Sequence, residues 1–230
     1  MKLSTLLLST TALCGTLLLV PHCGSGPTQS KQAIAITSPA DGAKLLAGDT
    51  TPVQWTQSVA NPVISYNYHL TSSTWQQFAV VIPVNSTEAK VVLPTLWPSD
   101  SFQIKVEDNA GAYNAGLSGY IHEKFIILTN ALGGQTVHVG DSVTLAWRAC
   151  PVQVSSVEVM LSTDNGKSYN EIIGAGSISI SAALSYQWIV GSETGYDFSS
   201  SYPSSTCIVK VRQYSNDQYK DLSGVFTVAN

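Results

Sequence analysis

The side chains of this 230-residue chain best placed to do chemistry are two aromatic–proline pairs, four cysteines and a few carboxylates. Trp97-Pro98 and Tyr202-Pro203 each stand five residues ahead of a matched position, Phe102 and Cys207, on loops rich in Ser, Thr and Pro. A flat ring held on such a loop is a platform for stacking against the face of a sugar, so Trp97 and Tyr202 are candidate glycan-binding residues. The competing role is a loop anchor that packs back onto the fold, comparable to a tyrosine corner, and the recurrence of the pair favours it. Cys150 and Cys207 both lie in the second half and can pair as a disulfide in an oxidising compartment, closing a loop of 207 − 150 = 57 residues. Zinc is not expected, because His69, His122 and His138 are scattered and none adjoins a cysteine.

The carboxylates offer little more. Glu107-Asp108 and Glu123 are the residues a glycan-active enzyme would have to bring within about 5 to 10 Å of each other in a groove. No Gly-x-Ser-x-Gly elbow, His-Glu-x-x-His helix, phosphate loop or dinucleotide glycine pattern occurs. The chain therefore reads as non-catalytic, without cofactor or metal. Ser162-x-Asp164-x-Gly166-x-x-Tyr169 resembles an Asp-box, and a carboxylate capping its own turn explains every residue of it.

The elements that must carry these residues are announced by a repeat. Ala47-Gly48-Asp49-Thr50 with Trp55 recurs as Val139-Gly140-Asp141-Ser142 with Trp147, a period of 147 − 55 = 92 residues. Both halves consist of short β-branched or aromatic runs bounded by turn residues, and no helical period is sustained. In the first, the runs are Ala33–Ile36, Val53–Thr56, Ile64–Tyr68, Phe78–Ile82, Val91–Leu93 and Phe102–Val106. In the second they are Phe125–Leu128, Val143–Trp147, Val157–Leu161, Tyr186–Val190, Ile208–Val211 and Val225–Val228, with Asn165-Gly166 marking a hairpin. Some seven strands per hundred residues imply an all-β chain of two tandem Ig-like or fibronectin-type antiparallel β-sandwiches, over residues 33–127 and 128–230. Phe125–Leu128 serves both, leaving almost no linker. Trp55 and Trp147 are expected in the cores, and Trp75 opposite Tyr169 as a packing plug.

Ahead of the repeats, residues 1–22 have the charged start and apolar middle of a signal peptide, and Gly24 to Gln32 form a flexible tether. Cys14 leaves with the leader, so Cys23 remains as an unpaired thiol at the head of that tether. This resembles a bacterial lipoprotein start, which implies lipidation of Cys23 and a surface held to the membrane through that lipid alone. Free secretion after ordinary cleavage and an uncleaved anchor are the alternatives. Charged residues make up only 11% of the chain, the net charge is −4, and the 11 Lys and Arg form no run, which argues against nucleic acid or anionic lipid as a partner.

Ile36-Thr37-Ser38-Pro39, Ala47-Gly48-Asp49-Thr50 and Val53-Gln54-Trp55-Thr56 resemble the opening of the Ig-like N-terminal domain of the Kre/Knh-type cell wall synthesis proteins. The second copy is similar to the family's bacterial exported version in Gly140-Asp141-Ser142, Ser162–Tyr169, Cys207–Val211 and Ser223–Val228. The resemblance implies a structural or adhesive role in a cell envelope or extracellular matrix. Cell-wall or extracellular polysaccharide, or surface proteins, are then the expected partners, and a carbohydrate-binding module is the alternative reading.

Overall fold

Alternation of apolar and polar side chains converts Thr50–Val59 into a strand that buries Thr51, Val53 and Trp55 and exposes the residues between them. The same period shapes the whole chain, which the computed structural model describes over residues 30–68, 74–130, 132–171, 177–192 and 201–230. The leader, Cys23 and His69 lie outside the described residues. Lys31–Asn230 form one compact unit, with no α-helix among the described residues.

The first sandwich contains β1 (Ile36–Ser38), β2 (Lys44–Leu46), β3 (Thr50–Val59), β4 (Pro62–Asn67), β5 (Gln76–Gln77), β6 (Ser86–Val92), β7 (Ser99–Asp108), β8 (Gly116–Leu117) and β9 (Ile121–Lys124). One sheet runs β1-β3-β6 and the other β2-β9-β7-β4-β5, with β8 beside β7. The second sandwich contains β10 (Ile126–Leu128), β11 (Thr136–His138), β12 (Ser142–Ala149), β13 (Ser156–Ser162), β14 (Asn170–Glu171), β15 (Ile178–Ser179), β16 (Ser185–Ile189), β17 (Ser204–Gln213), β18 (Asn216–Leu222) and β19 (Phe226–Ala229). Its sheets run β10-β12-β16 and β11-β19-β17-β13-β14, with β15 beside β13 and β18 beside β17. Apart from β15, which has no counterpart in the first sandwich, the two orders are the same, so the duplication seen in the residues is a duplication of topology. Among the named strands each sandwich is antiparallel except for one short parallel pair, β2 with β9 and β11 with β19.

Registers match as closely as topology. A bulge interrupts β7 between Ser99 and Phe102 and β17 between Ser204 and Cys207. Ser99 faces Glu123 where Ser204 faces Val228, so the last strands align at an offset of 204 − 99 = 105 residues. Trp55 and Trp147 fill equivalent places with 3% and 2% of their surface exposed. Around Trp55 pack Val53, Ile64, Phe102, Ile104 and Ile121; around Trp147 pack Leu145, Val159, Trp188, Val209 and Phe226. Gly48 and Gly140, at φ +85° and +93°, turn the chain into those strands through left-handed backbone that a side chain would strain.

Two expectations need correction. Phe78–Ile82 forms no ladder: Phe78 is buried and its N–H donates to the Ile64 carbonyl, but Val80 N–H turns back to the Phe78 carbonyl and Val81 is 96% exposed. That three-residue turn, followed by Pro83 without an N–H, ends the pairing. Asn165 and Gly166 do adopt positive φ, yet Leu161 pairs with Asn170, so the hairpin loop is longer than the tight two-residue turn the pair suggests.

Between β9 and β10 only Phe125 intervenes, and it is buried in the second core with Ile126 and Ala47. Its ring meets Tyr219 edge to face at 4.7 Å. Asp49 accepts two hydrogen bonds from Arg148 at 2.8 and 2.7 Å, and the buried Asp221 takes Lys44 at 2.8 Å and the Leu128 N–H at 3.0 Å. Gln153 donates to the Thr95 carbonyl at 2.7 Å. The sandwiches are thus joined by packing and by charge.

Candidate functional site

The loops bearing Trp97 and Tyr202 are held by the same device. Ser99 and Ser101 donate to the Tyr68 carbonyl, and Ser204 and Thr206 donate to the equivalent Thr163 carbonyl. The rings nevertheless differ: Trp97 is 59% exposed, whereas Tyr202 is half-buried and packs against the second core. One loop therefore presents a free aromatic face and the other spends its ring on anchoring. Trp75 and Tyr169 are also equivalent, each lying beneath an ammonium, Lys105 at 4.8 Å and Lys210 at 4.1 Å from the ring centre.

Asp164 is fully engaged in its own turn. Its carboxylate accepts from the N–H groups of Lys167 and Ser168 and from the hydroxyls of Ser162 and Ser168, which hold it far below the usual carboxylate range. Asp108 likewise accepts from the N–H groups of Ala110 and Ala112, and Glu107 pairs with Lys105 at 2.9 Å. Asp108 ends β7 opposite Pro62, while Glu123 pairs near its start with Ser99. Nine strand residues at about 3.3 Å each set them roughly 30 Å apart, so the structure does not bring these carboxylates together as a glycosidase pair.

Glu123 is instead a core residue. It has no exposed surface, and neither carboxylate oxygen has a hydrogen-bond partner of normal geometry. Burial pushes its carboxyl up to about 8, with the nearby Tyr68 hydroxyl pulling weakly the other way. Burial beside Glu123 also raises the Tyr68 phenol. The signal that reveals its burial is its alignment with Val228.

Cys150 and Cys207, expected as a disulfide, stand as separate buried thiols in the second core. Cys150 faces the junction, 3.8 Å from where a side chain on Gly48 would begin, while the Cys207 thiol points to the Ser204 carbonyl at 3.7 Å. Among the described residues no group of three or more His, Cys, Asp or Glu is arranged to hold a metal ion. His122 lies beside Asp100 at 3.0 Å and His138 beside Asp141 at 3.6 Å.

The junction carries a cleft bearing charged side chains that no motif announced. A hollow of about 370 Å³ is lined by Lys44, His122, Lys124 and Lys220 with Asp100, Asp221 and Leu222. It shares Asp100, Lys124 and Lys220 with a neighbouring hollow of about 240 Å³, walled by Pro98, Phe125 and Tyr219.

No protein-family profile and no curated protein matches this chain. Solved structures of tandem modules do. The fibronectin(III)-like modules of Clostridium thermocellum CbhA are 15% identical, with 85% of this chain and 91% of that one covered and a TM-score of 0.26. The polymeric Ig receptor ectodomain of a teleost fish is 10% identical, with 85% and 97% covered and a TM-score of 0.44.

Proposed function

We propose that the chain is a non-catalytic, exported surface module whose work is structural or adhesive. The observation that carries this reading is the junction: Arg148 with Asp49, Lys44 with Asp221 and the buried Phe125 hold two sandwiches in a fixed relation, as a spacer or assembly component requires. The Kre/Knh-type motifs and the apolar leader ending at Cys23 support an envelope address. Mass spectrometry of the mature N-terminus from fractionated cells tests it: a diacylglyceryl mass on Cys23 in the membrane fraction is expected, and an intact Met1 in the cytosol would overturn it.

The exposed Trp97 favours a second reading, carbohydrate binding through a single stacking face. Retention on insoluble polysaccharide that Trp97→Ala abolishes and Tyr202→Ala leaves in place would support it; equal retention by both variants would not.

A further inference from the structure

We infer that the cleft where β2, β9 and β18 meet binds an acidic saccharide, with Lys44, Lys124 and Lys220 receiving its carboxylate and His122 at the rim. The inference rests on the adhesive reading only in taking a saccharide chain as the partner.

The first support is an internal comparison. Strand register equates Lys44, His122 and Lys124 of the first sandwich with Thr136, Thr227 and Ala229 of the second, and Asp100 with Ser205. The same fold is built at those positions without charge, so folding does not require the cluster. Three of the 11 Lys and Arg in a chain of net charge −4 nevertheless gather there.

The second support is what the ammonium groups do. Lys44 bridges the sandwiches through Asp221, but Lys124 pairs with Asp100 and Lys220 with Asp217, each within its own sandwich. Two of the three cations therefore contribute no ion pair to the junction. An ammonium has three N–H donors, and among the described residues each of these lysines has one carboxylate partner, so donors remain for an incoming anion. Asp100 is exposed and would be displaced or would compete.

Shape favours a sugar acid over a membrane surface or a nucleic acid. The cations line an open hollow that continues along a wall of Pro98 and Tyr219. A sugar ring resting on that wall can bring its carboxylate to Lys124 and Lys220, which line the same hollow.

Affinity electrophoresis of the full chain in gels containing polygalacturonate, with neutral galactan as the control polymer, tests the site. Polygalacturonate should retard the chain, less so as salt rises, and Lys124→Gln/Lys220→Gln should weaken binding about tenfold. Asp100→Asn should bind at least as tightly as the parent, a direction that misfolding cannot imitate. Absence of retardation, equal retardation by galactan, an unchanged double variant or weaker binding by Asp100→Asn would each overturn the inference. Galactan retention that depends on Trp97 would leave the stacking reading standing alone.

Discussion

Glu123 occupies a core place that its counterpart, Val228, fills with hydrocarbon. In the unfolded chain its carboxyl ionises near 4.5, whereas in the fold it stays protonated up to about 8. A raised native value means that its contribution is fully present below pH 4.5 and is lost as pH climbs to 8, at a cost on the order of 5 kcal/mol. Glu123→Gln should flatten that decline, so urea midpoints of parent and variant should diverge steadily between those limits. Trp55→Ala and Trp147→Ala should each cost roughly 3 to 5 kcal/mol, visible as a lowered Tm. The indoles were legible in the sequence because each sits at a matched place in a repeated, alternating strand. Glu123 was not, because Ile121-His122-Glu123-Lys124 looks like a solvated stretch until register places Glu123 between Leu45 and Ser99. The differing fates of Trp97 and Tyr202 were hidden for a similar reason: equivalent loops do not oblige equivalent rings to turn the same way.

Long strands declared only their centres, Val53–Thr56 within Thr50–Val59 and Ile208–Val211 within Ser204–Gln213. Lys44–Leu46 and Thr136–His138 declared nothing, since three residues contain no period to read. These short strands nevertheless flank both last strands, and β2 supplies Lys44 to the junction. The two junction ion pairs should contribute unequally. Asp221 is buried and satisfies a backbone N–H as well as an ammonium, so Asp221→Ala should cost about 1 to 3 kcal/mol. Arg148 is half exposed, and Arg148→Ala should cost under about 1 kcal/mol. Chemical denaturation of both variants distinguishes these outcomes, and a similar loss from each would show that burial is not what matters there.

Duplication was readable across the whole molecule because glycine, acid and indole recur at fixed spacing. The way the copies meet was not, because Asp49 and Arg148 lie 99 residues apart and nothing local in either segment signals the other. Nor did composition reveal the lysine cleft, whose members come from separate strands and form no run. The connector, Phe125, has a further consequence. It directly follows the last strand of the first sandwich, yet its ring is part of the second core. That strand cannot peel away without extracting a plug from the neighbouring module, so damage to either copy propagates to the other. Differential scanning calorimetry should show one cooperative transition for the parent, whereas Phe125→Ala should split it into two. With that single ring removed, two neighbours that had melted together would come apart at separate temperatures.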